Sequence, residues 1–224
     1  NWALDLKTKS YKEGIKLNAG QISAALTQLK KTEEFYWLNE VSSVCLQQSL
    51  MNLDVAYKNF FKGQNKHPTF KKKSNTQSAR YASSAFTFKD GKLTLAKHKK
   101  PIKMKITRNF SGEVSSVTVS KTPDGKYYAS LLVKEQYESK SKTAKQLGID
   151  LGIKDFATFS DGKRVANPKH LLSSMKKLKR LQRHLSRKVK GSKNRDKARI
   201  KVARLHSKIA NQRADFLHKL STQI

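Results

Sequence analysis

Hydrophobic positions in the first part of the chain recur at helical spacing. Leu46, Leu50, Leu53, Tyr57 and Phe60 follow at intervals of four, three, four and three, which lines one face of a helix from about Glu40 to Phe61. Upstream, Ile22, Ala25, Leu26 and Leu29 predict another helix over about 18–31, with Asn18 or Ser23 able to cap it. Packing of these stripes on one another accounts for nearly every apolar residue here, and nothing in the segment demands a chemical role.

Beyond residue 66 the period changes from helical to alternating. Residues 85–88 and 92–96 flank Asp90-Gly91, a pair suited to the positive φ angles of a tight hairpin turn. Strand-like runs follow at 102–106, 114–120 and 126–134, the last two joined by Pro123-Asp124-Gly125. The pattern predicts a short antiparallel module closing into a small β-barrel. At 147 it changes again: Leu147, Ile149 and Leu151 predict a buried strand, and Phe156 to Phe159 its return. After Asp161-Gly162 come two apolar stripes, one through Leu171, Met175, Leu178, Leu181 and Leu185, the other through Ala198, Val202, Leu205, Ile209 and Phe216. Gly191-Ser192-Lys193-Asn194 separates them, which predicts a helical hairpin. The fold class is therefore α+β in three modules, 1–66, 67–146 and 147–224.

Charge changes the picture from architecture to partner. The chain carries 48 Lys and Arg against 16 Asp and Glu, a net +32 over 224 residues, which points to a polyanion. The excess is uneven: +2 over residues 1–62, +14 over 63–146 and +16 over 147–224. From Lys163 to Ile224 there are 20 basic residues and two acidic ones, Asp196 and Asp215, so the hairpin repels itself unless a counter-charged ligand lies on it. Arg180, Arg183, Arg187, Lys188, Lys190, Arg195 and Arg199 fall where its tip would reach a duplex or heteroduplex. In the middle module His67, Phe70, Lys71, Lys72 and Lys73, with Lys99 and Lys100 further on, interleave cations with rings, a composition that neutralises phosphates and stacks on bases. Lysines on strand edges also deter aggregation, and that reading stays open for them. No run of about 18 apolar residues is present and no signal-peptide pattern opens the sequence, so membrane attachment is not expected. Cys45, the only cysteine, allows neither an internal disulfide nor a cysteine-based zinc site, and suits a core position in a reducing compartment.

Asp150 is the candidate for chemistry. Metal-assisted phosphodiester cleavage needs carboxylates converging on divalent ions, and hard oxygen ligands suit Mg²⁺. A carboxylate on a buried strand would need such a partner. An aspartate at a strand end accepting backbone hydrogen bonds in a turn fits the same pattern, and the two readings stand side by side.

Three separated stretches carry a family resemblance: YKNFFKGQNKHPTFKKK, LGIDLGIKDFATFSDG, and the run SSMKKLKRLQRHLSRKVKGSKNRDKARIKVARLHSKIANQRADFLHKLS. In order and spacing they resemble the TnpB (OrfB) proteins of bacterial insertion sequences, RuvC-type relatives of type V CRISPR effectors. The resemblance implies a helical recognition lobe (1–66), a wedge-like β-barrel (67–146) and the first part of an RNase H-like RuvC nuclease domain (147–224). It also implies RNA-guided DNA cleavage, with guide RNA and target DNA as partners, inside the bacterial cell at the nucleoid. By that likeness Asp150 matches the first catalytic acid, a Mg²⁺ ligand, and the HPTFKKK region is similar to guide-RNA contacts. Against the family pattern, the sequence opens within the first recognition helix and stops before the catalytic glutamate, the cysteine-pair zinc element and the final aspartate. Every glutamate precedes Asp150. The expectation is a segment that grips nucleic acid and does not cut it alone. The alternatives are a non-catalytic RNA- and DNA-binding remnant and, more weakly, a ribosome-associated basic protein.

Overall fold

The structure, a computed structural model, describes residues 1–73, 76–136, 144 and 146–224. Helices α1 (Trp2–Lys12), α2 (Ala19–Leu29) and α3 (Ser43–Phe61) come first, with a 3₁₀ segment over Glu33–Glu40 between the last two. Strands β1 (Gln77–Ala82), β2 (Phe86–Lys89), β3 (Lys92–Leu95), β4 (Glu113–Lys121) and β5 (Tyr127–Lys134) follow. The remainder is β6 (Ile149–Leu151), β7 (Asp155–Phe159), β8 (Arg164–Ala166), α4 (His170–Ser186) and α5 (Lys193–Gln223). Two compact units result, one holding α1–α3 and β1–β5, the other β6–β8, α4 and α5.

Local chemistry fixes several boundaries. Asn18 starts α2 with a reciprocal cap: its Oδ1 accepts from the Gln21 amide at 2.9 Å, and Gln21 Oε1 accepts from the Asn18 amide at 2.9 Å. Asp90 and Gly91 both take positive φ, 49° and 70°, the requirement of the turn joining β2 and β3. α5 begins where the Ser192 hydroxyl accepts from the Arg195 amide at 3.1 Å.

In the first unit β1, β4 and β5 form an antiparallel sheet in that order, while β2 and β3 pair only with each other. The alternation of β4 sends Val117 and Val119 to one face and Thr118 and Ser120 to the other. On the apolar side Val117, Leu93 and Leu95 form one cluster with Tyr81, Phe86 and Leu131 around it. The predicted barrel is thus corrected: among the described residues the sheet does not close. The hairpin meets it through side chains, with no ladder between them, and β1 and β5 remain edges. The strand predicted over 102–106 reduces to a single bridge, where the Ile102 amide, next to Pro101, donates to the Leu93 carbonyl at 2.7 Å.

Helix α3 packs on β1, where Cys45 is buried and shares a hydrogen bond with the Tyr81 hydroxyl. Burial pushes the Cys45 thiol up, opposed by its hydrogen bonds to Tyr81 and Ser42, and pushes the Tyr81 hydroxyl up as well. Each group therefore ionises at lower pH in the unfolded chain than in the folded one, and its contribution is complete below the unfolded pKa and lost as pH rises through the folded one. The melting temperature should fall as pH rises from about 8.5, the ordinary thiol value, toward 10.5. Cys45→Ala should flatten the first part of that decline; a wild-type profile without any decline would contradict the assignment.

Candidate functional site

The second unit is an antiparallel sheet in the order β6-β7-β8 backed by a helical hairpin. Leu178, Val202, Leu205 and Ile209 form the seam of α4 on α5, with Leu181 and Leu185 packed against it. Further along α5, Leu220 is buried with Ala157 and Phe159 of β7, and Phe216 meets Phe156 edge-on at 4.9 Å between ring centroids.

Asp150 lies at the middle of β6, directly opposite Thr158. Ile149 and Leu151 pair with Phe159 and Ala157, so they share the face on which α5 packs, and Asp150 points from the other face. The buried strand expected here is corrected. β6 is an edge strand, exposed throughout; Leu151 is 69% exposed and the following Ile153 88%. Helix α5 packs on β7 through Phe216 and Leu220, while the side chains of β6 stay exposed. Two glycines close the hairpin. The Gly148 amide donates to Ser160 Oγ at 3.0 Å, and a Cβ on Gly152 would come within 2.9 Å of the Asp155 carbonyl oxygen, so the turn accepts only glycine there. Asn167 Nδ2 donates to the Ile153 carbonyl at 2.9 Å and ties the same turn to the segment before α4.

The carboxylates of this unit divide by environment. Asp161 is a turn aspartate whose Oδ1 accepts from the Lys163 amide at 3.0 Å. Asp196 pairs with Arg199 at 3.6 Å and Asp215 with Lys219 at 2.8 Å. Like half-buried Asp155 on β7, Asp150 has no side-chain hydrogen-bond or ion-pair partner among the described residues. Its hard oxygens suit Mg²⁺. No group of three or more His, Cys, Asp or Glu side chains that could hold a metal forms among the described residues, so they do not assemble a complete metal site.

The basic candidates are distributed over several elements. Arg180, Arg183 and Arg187 are exposed together along one side of α4, joined there by Ser173, Lys176, Lys177 and His184. At 100° per residue the whole set lies within an arc of about 120°, opposite Leu178 and Leu185. Of these four additions, the basic ones, Lys176, Lys177 and His184, were legible as basic residues repeating at three and four on the side away from the leucines. Four like-charge pairs at these spacings, Lys176–Arg180, Lys177–Arg180, Arg180–Arg183 and Arg183–Arg187, each cost the free helix about 0.2–0.5 kcal/mol. Arg195 plays a different part: half-buried, its Nη1 donates to the carbonyls of Leu185 at 3.0 Å and Lys188 at 2.9 Å, closing the end of α4 onto the start of α5. Lys190 and Arg199 are exposed and Lys188 is half-buried.

In the first unit, His67 packs edge-on against Tyr57 and Phe60, at 5.5 and 5.2 Å between centroids, and Phe70 is 55% exposed. The Asn1 amide group clamps the backbone of Lys71, donating to its carbonyl at 2.9 Å and accepting from its amide at 2.8 Å, while the Lys71, Lys72 and Lys73 side chains face solvent. Lys99 and Lys100 are exposed just after β3.

These features define a strongly cationic α+β protein in which Asp150 stands unpartnered on the exposed edge strand of a small sheet. Residues 117–224 match the family model OrfB_IS605, described as "Probable transposase". A Streptomyces pristinaespiralis protein named "Putative RNA-guided DNA endonuclease" is 45% identical over 228 residues, which cover 100% of this chain and 57% of that protein. An Escherichia coli (strain K12) protein, "Putative RNA-guided DNA endonuclease InsQ", is 35% identical and covers 100% of the chain and 56% of its own length. The chain is thus similar to the OrfB (TnpB) proteins, to the family model over residues 117–224 and to the two named relatives over its whole length. It spans a little over half the length of these curated relatives. Among the described residues no helix is long and apolar enough to cross a membrane.

Arg195→Ala should remove both carbonyl contacts and destabilise the second unit by about 1–2 kcal/mol, the scale of hydrogen bonds from a charged, partly exposed donor. Thermal unfolding monitored by helical circular dichroism reads this. An Arg195→Ala chain as stable as wild type would show that the hairpin end holds without its arginine.

Proposed function

We propose that this chain is the guide-RNA- and target-DNA-gripping part of a transposon-associated RNA-guided DNA endonuclease, with Asp150 contributing one ligand to a Mg²⁺ site of RuvC type. Identity along the whole chain to proteins named as RNA-guided DNA endonucleases carries the reading. The placement of Asp150 supports it. The side chain stands on the face of β6 away from α5, where neither turn amides nor cations compete for its oxygens, while Asp161, Asp196 and Asp215 are each engaged. When bound, Mg²⁺ would supply Lewis-acid stabilisation of the phosphodiester oxygens. The residues of this chain hold and orient: β7 fixes the register of β6, Gly152 permits its tight return, and Phe156 and Phe216 anchor the sheet to α5.

Cleavage at a metal site needs more carboxylates than the described residues assemble, so the 224-residue chain binds nucleic acid without cutting it. Catalysis belongs to a protein that carries this segment together with the remaining ligands. The cationic surfaces of both units, His67 to Lys73 with Lys99 and Lys100 in one and α4 in the other, then hold guide RNA and target DNA, inside the bacterial cell.

In the protein carrying this segment, Asp150→Ala should lower Mg²⁺-dependent cleavage of guide-matched DNA by at least about a hundredfold, the loss of a few kcal/mol of transition-state stabilisation. Affinity for the guide RNA should stay within about twofold, since one carboxylate contributes little to a polyanion contact. Undiminished cutting by this variant would make Asp150 structural. Binding without any cleavage by the unsubstituted protein would favour a non-catalytic nucleic-acid-binding role.

A further inference from the structure

We propose that the 3₁₀ segment Glu33–Glu40 of one copy of this chain docks into an apolar groove on the second unit of another copy. From Thr32 to Tyr57 there is no Lys, Arg or His, in a chain where 48 of 224 residues are Lys or Arg, while Glu33, Glu34, Glu40 and Asp54 fall inside the stretch. Asp54 is ion-paired to Lys7 and Lys58. The three glutamates are exposed and have no ion-pair partner among the described residues. Between them Tyr36 and Trp37 are 67% and 56% exposed.

The segment keeps its form without burying a residue. Long 3₁₀ runs are uncommon, and this one is supported by Asn39, whose Nδ2 donates to the carbonyls of Lys30 and Tyr36, both at 3.0 Å. An exposed Trp and Tyr with no Lys around them have the composition of a protein interface, where such rings supply much of the binding energy. Carboxylates beside the rings repel phosphate, which separates this surface from the basic, aromatic stretch around Phe70.

The chain itself carries the complement. In the second unit, Ile153, Leu171, Leu172, Phe216 and Leu217 line an open groove of about 610 Å³, with Lys169 and Arg213 as exposed cations on it. That volume lies in the range of about 300–1,000 Å³ that takes a drug-sized body, which is room for two aromatic side chains. Lys169 is held in the left-handed region, at φ 46°, where Asn167 Oδ1 accepts from its amide at 3.0 Å. The aliphatic walls would take the rings out of water, and the cations would meet both the glutamates and the ring faces. Two copies at +32 repel each other, but residues 1–62 carry only +2, and at physiological salt the field decays over about 8 Å. Each copy offers one segment and one groove, so the contact is heterologous.

The test is sedimentation velocity of the 224-residue chain, freed of nucleic acid by nuclease and a high-salt wash, from about 1 to 100 μM at about 0.15 M salt. The mean mass should rise with concentration to at least that of a dimer. Trp37→Ala, which loses the ring, and Leu172→Glu, which puts a like charge in the groove, should each weaken association at least about tenfold. Mixed one to one, the two variants should form a dimer that neither forms alone, because one still has its groove and the other its segment. Circular dichroism verifies folding; should either variant not fold, Tyr36→Ala and Leu217→Glu take their places. A wild-type chain that stays monomeric throughout would overturn the contact. So would folded variants that associate like wild type, or a mixture in which neither variant finds the other. No nucleic acid or cleavage is read, so the outcome is independent of the endonuclease proposal.

Discussion

Unopposed positive charge is the constraint on which the second unit turns. Along α4 each cation looks at another one turn away, and no acidic side chain lies on the helix. What holds the helix is its other side. Leu178, Val202, Leu205 and Ile209 are buried in the seam with α5, and side chains of this size contribute about 1.5–3 kcal/mol each when fully buried. That exceeds the sum of the like-charge penalties on α4, and Arg195 adds a hydrogen-bonded closure at the hairpin end. The hairpin can therefore present a cationic face stiffly, where a weaker seam would let it splay. The cost of the charge is recovered only when phosphates replace water around it.

The same hairpin positions the sheet. Phe216 and Leu220 of α5 anchor β7, and β7 in turn sets the register that turns Asp150 away from the helix. The arrangement leaves β6 with apolar side chains that nothing among the described residues covers, together with an open edge. An aspartate on such a strand has its oxygens free for a hard cation, which is the property the endonuclease proposal requires.

Elements with strong periodicity or a specific cap were legible in the sequence. The stripes of α3, α4 and α5, the Asn18 cap and the Asp90-Gly91 turn all lie where the pattern puts them, because each depends on neighbours within a few residues. β1 was missed: its alternation of Ala79 and Tyr81 with Ser78 and Arg80 is short and weakly apolar, and its partner β4 lies some 36 residues away. β8 and the 3₁₀ segment are likewise brief. The closed barrel and the buried Asp150 strand failed for a common reason. Strand sequences record how apolar a strand is, and they are silent on whether a ladder closes or a helix reaches the edge. Of the candidate site, the arginines of α4 were readable from charge, whereas the inward role of Arg195 depends on two carbonyls that only the folded hairpin brings within reach.

The central claim, that the cationic fold is completed by a polyanion, is tested most directly by thermal unfolding of the chain with and without a short nucleic-acid duplex at low salt. A ligand that binds only the folded state at 100 times its dissociation constant stabilises it by about 2.7 kcal/mol. The account predicts a clear rise in melting temperature with duplex that shrinks as salt increases. An unshifted melting temperature at saturating duplex and low salt would contradict it.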